Sequence, residues 1–261
     1  DLNKYIWTLK YQTEEDGLII LGTEPHFYEK ENYKYENYCT MKAIPTQSPE
    51  TAWSFVMDKA IIEHKNNNIE YDLSEKKVDF LIDRGLIIGT DEYKKKIDEI
   101  YFNDLIQKNI CQIATETFDD EEQGTKEEYY VYWCNTNSFI GNKYSVDKTY
   151  YNTFPSLKFT LQQYNMTFSL NKEDLFFDKS GKTFFLIIFK KSSSQNNIWK
   201  LGESFFAKYQ FTFDLDKKIV GFYNKNFKNE YSNEPQKSSG SMTTLYVIIL
   251  IVIVSVLVVV A

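Results

Sequence analysis

Histidine is almost missing from this 261-residue chain. His26 and His64 are the only two, so a metal site or a histidine-based triad would need both brought together from distant positions. Each is expected at the surface. Cysteine is scarce too. Cys39, Cys111 and Cys134 are too few for a disulfide scaffold, and no C-x-x-C pair exists for zinc or redox work. No G-x-S-x-G, H-E-x-x-H, Walker A or G-x-G-x-x-G pattern occurs, and no repeat at a fixed short period. The net charge is −7, from 37 acidic and 30 basic residues, and no basic stripe stands out. Nucleic acid is therefore not an expected partner. Lys94-Lys95-Lys96 reads as the wet face of a helix. Arginine occurs once, at Arg84.

Aromatics, by contrast, are abundant: 20 Tyr and 20 Phe favour a β-rich fold and argue against disorder. Residues 242–261 carry no charge and are almost wholly apolar. At about 1.5 Å per residue, a helix of that length spans roughly 30 Å, the hydrocarbon thickness of a bilayer. Core strands run roughly 4–8 residues, so a transmembrane helix is the expectation rather than a buried strand. The polar segment 224–241, with Pro235 and Gly240, reads as a stalk. About 223 residues remain for one large or two small cores. The chain opens at Asp1 without a methionine, which reads as a processed product or a fragment.

Strand-length apolar runs recur between turn residues. Tyr5–Leu9 alternates. Gly17–Gly22 reads as a short buried strand fenced by glycines. Trp53–Ile62 is one longer apolar stretch. Val78–Ile82, Tyr129–Cys134, Leu157–Leu161 and the cleanly alternating Met166–Leu170 follow. Thr183–Phe189 reads as a continuous strand covered on both faces. Residues 211–214 and 219–223 flank a turn and read as a hairpin. Two helices interrupt. One starts at a Thr90 or Asp91 cap and buries Tyr93, Ile97, Ile100, Tyr101 and Leu105 on one face. The other covers Glu203 to Tyr209. Residues 119–122 and 192–194 read as loop tips. The class is all-β with small helices.

The lone arginine stands in Phe80-Leu81-Ile82-Asp83-Arg84-Gly85-Leu86-Ile87-Ile88-Gly89. A carboxylate following a buried strand, with Gly85 for a tight turn, suits a catalytic Asp. The segment resembles the second Asp-Thr/Ser-Gly-Thr/Ser loop of pepsin-like aspartic proteases. Other segments resemble that family in the same order: Gly17–Gly22, Trp53–Ile62, the helix after Gly89, Phe154–Phe159, Trp199-Lys200-Leu201-Gly202 with the helix after it, and the terminal hairpin.

The resemblance implies a pepsin-like acid protease fold. Residues 1–50 would hold the end of an N-terminal lobe and inter-lobe strands, and 51–223 the C-terminal lobe, followed by the 224–241 stalk and the 242–261 span. It implies a disulfide between Cys111 and Cys134, with Cys39 left over or paired with the missing lobe. It also implies Asp83 near Leu201-Gly202, a polypeptide substrate or protein ligand as partner, and no cofactor or metal. Its chemistry is peptide hydrolysis by water activated between two aspartates that share one proton, because like charges about 3 Å apart cannot both ionise. Arg84 and Leu86 depart from the family pattern, in which small hydroxyl residues brace the Asp. A guanidinium near Asp83 would favour its carboxylate and lower its pKa. With one such loop, and the N-terminal lobe missing, the chain alone is expected to be inactive. The alternative is a catalytically dead ectodomain that binds a partner.

Asn165-Met166-Thr167 is a glycosylation acceptor, which agrees with a single-pass protein whose soluble part is lumenal or extracellular, in the secretory or endolysosomal pathway. A cytosolic domain with a tail anchor, and a lipid-anchor signal near Ser238–Ser241, are the alternatives.

Overall fold

The computed structural model describes residues 4–11, 17–44, 53–65, 67–73, 76–82, 85–120, 125–141, 150–191 and 196–224. These residues build three sheets of five, nine and four strands with short helical turns between them, the β-rich class that the aromatic content predicts. The expected span 242–261 and the stalk 224–241 lie outside them, save for Asn224, which is buried and donates its N–H to Asn37 O at 2.9 Å, so it belongs to the fold and not to a stalk. Among the described residues no helix is long and apolar enough to cross a membrane.

The five-stranded sheet runs Gly17–Leu21, Ile6–Tyr11, Thr212–Asp214, Ile219–Tyr223, Tyr38–Lys42. It joins the start of the described chain to its end, with Trp7 stacked on Phe213 at 4.1 Å. The expected terminal hairpin forms, pairing Thr212 with Gly221 and Asp214 with Ile219. Gly17–Leu21 corrects an expectation. Among the described residues it is an edge strand paired only with Ile6–Tyr11, and Leu18, Ile19 and Leu21 are 46%, 61% and 55% exposed. Apolar composition signalled a strand but not a covered one.

Trp53–Ile62 is not one element. Trp53–Val56 belongs to the nine-stranded sheet and Lys59–His64 to the four-stranded sheet. Asp58 fixes the corner: its N–H donates to Thr160 O, its carbonyl accepts from Leu73 N, and its carboxylate accepts from Gln162 N. The expected continuous strand Thr183–Phe189 is likewise broken. Lys182–Phe185 alternates in burial, and Leu186 turns aside to donate to Leu175 O. Ile187–Lys190 then runs parallel to Ile87–Gly89, with Ile187, Ile188 and Phe189 all buried.

The helical segment after Gly89 begins as predicted. Thr90 caps Asp91–Ile97, its hydroxyl accepting from Tyr93 N at 3.2 Å. A π turn, Asp98–Phe102, precedes Asn103–Gln107. Tyr93, Ile97, Tyr101 and Leu105 are buried, and the π turn adds Phe102 to that face while Ile100 is only partly covered. Lys94 is less wet than expected. It pairs with Asp98 at 2.7 Å and lies over the Tyr130 and Tyr132 rings.

One contiguous core links the sheets, and Phe80 sits inside it. Its ring lies 4.8 Å from Phe55, 5.8 Å from Phe205, and 5.2 Å from both Phe206 and Phe211. The two histidines also need correction. His26 is only 5% exposed. A Pro25–Phe27 turn tucks it in, and its Nδ1 shares a 2.8 Å hydrogen bond with the Tyr223 hydroxyl. His64 is half-buried, and burial pushes its imidazole below the usual range.

Candidate active site

The strand Lys77–Phe80 ends in the loop that carries Asp83, and the chain re-enters the sheet at Ile87–Gly89. These two strands are consecutive in sequence but are not neighbours in the sheet. Trp199–Leu201 lies between them, parallel to the first and antiparallel to the second. Its register places Trp199 beside Val78, Leu201 beside Phe80, and Lys200 beside both Asp79 and Ile88. The burial that makes the chain choose this arrangement is plain in the sequence: Val78, Phe80, Ile87, Trp199 and Leu201 are each at most 1% exposed.

Two hydrogen bonds tie the ends of the loop to the threaded segment. Leu81 N donates to Leu201 O at 2.9 Å. On the return side, Ser204 Oγ donates to Gly85 O at 2.8 Å. The buried Gly202 precedes the Glu203–Lys208 helix, and its carbonyl accepts from Phe205 N. The loop's flanks are thus brought to Leu201-Gly202. Asp83 and Arg84 themselves lie outside the described residues.

A Cβ on Gly85 would meet Glu203 Oε2 at an ordinary 3.6 Å. Gly89 is the demanding glycine. A Cβ on it would come within 2.6 Å of Phe189 Cε1 and 2.9 Å of Ile187 Cγ2. Leu86 is half-buried, with Ile88, Tyr129 and Ile188 in a small apolar cluster of its own. Sequence reasoning missed Ser204, since one serine in a helix's first turn has no motif to announce it.

Next to this cluster, Glu127 accepts from Lys190 Nζ and from the Tyr129 hydroxyl. Burial pushes its carboxyl up, but these hydrogen bonds outweigh that and hold it below the usual carboxylate range.

The remaining expected positions are separate from the loop. Cys111 and Cys134 face each other across the pair Cys111–Asp120 and Thr125–Asn135 and form a disulfide. Cys39 is buried and free, and burial raises its thiol to about 12. Asn165 follows the Gln162–Tyr164 turn with φ of 46° and is exposed, as is Thr167. Among the described residues no group of three metal-ligating side chains assembles.

The threaded strand and the surrounding β-sheets agree with the pepsin-like fold that the sequence resembles. The sequence profile of the eukaryotic aspartyl protease family matches residues 2–225. The chain belongs to that family. No curated protein matches it at a significant level.

Proposed function

We propose that this chain is the C-terminal portion of a membrane-anchored aspartic endopeptidase, inactive by itself. The observation that supports the reading best is the strand Trp199–Leu201 held between the two arms of the Asp83 loop. Such threading pins a turn at both ends, which is what presenting a carboxylate requires. In this reading Asp83 is one half of a dyad. Its partner comes from an N-terminal lobe preceding these residues, since no Asp-Thr-Gly or Asp-Ser-Gly occurs in the 261 residues. Residues 1–50 supply inter-lobe strands, 51–223 the C-terminal lobe, 225–241 the stalk and 242–261 the span.

Inactivity of the chain alone follows from counting carboxylates: one loop offers one, and the reaction uses two. Arg84 weakens the site further, because a guanidinium donates only and cannot replace a hydroxyl that both donates and accepts. A second reading, a binding ectodomain without catalysis, draws on the same departures at Arg84 and Leu86.

The test is hydrolysis of a quenched peptide between pH 3 and pH 6, with and without a statine-type transition-state mimic. The chain alone is expected to give no inhibitor-sensitive turnover. The chain joined to a lobe carrying an intact first loop is expected to give weak turnover, lost on Asp83→Ala and raised by Arg84→Thr with Leu86→Thr. Turnover by the chain alone that disappears in Asp83→Ala would overturn the proposal. No turnover in any combination would favour the binding ectodomain.

A further inference from the structure

A cavity of about 270 Å³ lies between the segment 32–37, the strand Met166–Leu170 and the end of the Glu203–Lys208 helix. Its walls are aromatic. Tyr33 and Tyr223 lie 4.9 Å apart on one side, while Phe168 packs against Tyr209 at 5.0 Å and Phe222 at 5.4 Å. Phe168 and Phe222 are buried, whereas Lys34 is exposed. The cavity therefore runs from an apolar interior to a cationic outer end. Among the described residues no carboxylate lines it. Of its two lysines, Lys208 is already paired with Asp174 at 2.5 Å, but Lys34 has no ion-pair partner among the described residues.

Gln210 closes part of the wall. Its Oε1 accepts from the Tyr33 hydroxyl, which fixes that ring, and its Nε2 is buried. Lys34 is therefore the polar group left for a ligand's charge.

The structure assigns this cavity to a small aryl carboxylate. The ring lies among Tyr33, Phe168, Phe222 and Tyr223, and the carboxylate meets Lys34 Nζ. The volume falls just below the roughly 300–1,000 Å³ usual for ligand pockets, so one ring and a short acid chain fill it. The same chemistry exists in a free arylalkanoate and in the C-terminal phenylalanine of a peptide. The site is independent of the protease reading, because it uses neither the Asp83 loop nor a second lobe.

The test is titration of the full chain with 3-phenylpropionate by saturation-transfer NMR and calorimetry. 3-Phenylpropylamine and 3-phenylpropionamide serve as charge controls, and an acetylated peptide ending in phenylalanine as the second source. A ligand of this size is expected to bind with a dissociation constant on the order of 0.1–1 mM. The amine and the amide should bind at least about tenfold more weakly, as should Lys34→Gln with the acid, since the unpaired lysine is the charge that the acid meets. Met166→Trp, which fills the cavity, should abolish binding while the thermal transition stays intact. Tighter binding of the peptide than of the free acid would identify a chain terminus as the natural occupant and support the site. Absence of binding at about ten times the expected constant, equal binding of acid and amine, or full affinity in Lys34→Gln would overturn it. Lys34 is exposed, so its variant reports even if Met166→Trp fails to fold.

Discussion

Two glycines, one at the Asp83 loop and one at the end of the strand after it, separate two uses of the same residue. Gly89 is glycine because there is no room. Its absent Cβ would press into Phe189 and Ile187, both fully buried. Gly89→Ala is expected to cost about 1–3 kcal/mol through overpacking, read as a lower midpoint in denaturant. Gly85→Ala should fall within about 0.5 kcal/mol of the wild type, since the Glu203 Oε2 contact at 3.6 Å is ordinary van der Waals distance. Equal losses at both would show this account wrong. Glu127 gives a pH signature. Its carboxyl is held below the ordinary value of 4.5, by Lys190 and Tyr129 acting against burial. A carboxyl lowered in the fold stabilises it above the unfolded value, and that contribution disappears as pH falls through the folded value. Glu127→Gln should therefore melt lower than the wild type at pH 7, and the gap should close as the pH falls well below 4.5. A gap that persists in strong acid would mean lost packing rather than lost charge. Neither residue was legible in sequence. The Asp-x-Gly spacing drew attention to Gly85, whereas Gly89 earns its identity from strands brought beside it by the fold.

At the scale of elements, the aromatic cluster around Phe80 holds the first arm of the loop. Phe80→Ala is expected to cost about 3–5 kcal/mol by cavity formation. Circular dichroism melts would check it, and a loss below about 1 kcal/mol would mean that the cluster is dispensable. The disulfide acts elsewhere. Closing the loop between Cys111 and Cys134 should contribute about 3 kcal/mol by restricting the unfolded chain, read as the drop in stability on reduction. The paired strands it joins should survive, because their ladder runs from Cys111–Cys134 out to Asp120–Thr125. Most strands could be read from alternation and turn residues, and the caps from Thr90 and its acidic followers. What could not be read were interruptions inside apolar runs. Asp58 and Leu186 divide segments that look continuous, because the partners that bend them, Thr160, Leu73 and Leu175, lie elsewhere in the chain. Burial of Gly17–Leu21 was misjudged for a related reason, since an apolar strand does not say whether it has one neighbour or two.

For the whole molecule, the family was legible because several weak segments kept their order, with the stretch from Trp199 to Tyr223 the strongest. The proposed topology has its own check. If the domain is lumenal, expression in a secretory host should yield a chain whose mass falls on glycosidase treatment and which Asn165→Gln no longer carries. An unchanged mass would count against that placement, and release by a phospholipase would replace the span with a lipid anchor. The threaded strand has a consequence in time. A ribosome delivers the chain from its N-terminal end at about 5–20 residues per second. The two arms of the Asp83 loop thus emerge long before Trp199–Leu201, and the slot between them stays open until nearly all of the described chain has been made. Until then Leu81 N and Gly85 O lack the partners seen in the finished fold. Closing of the loop's two ends thus waits for Trp199–Leu201, and a product truncated before that strand would lack the segment that ties them.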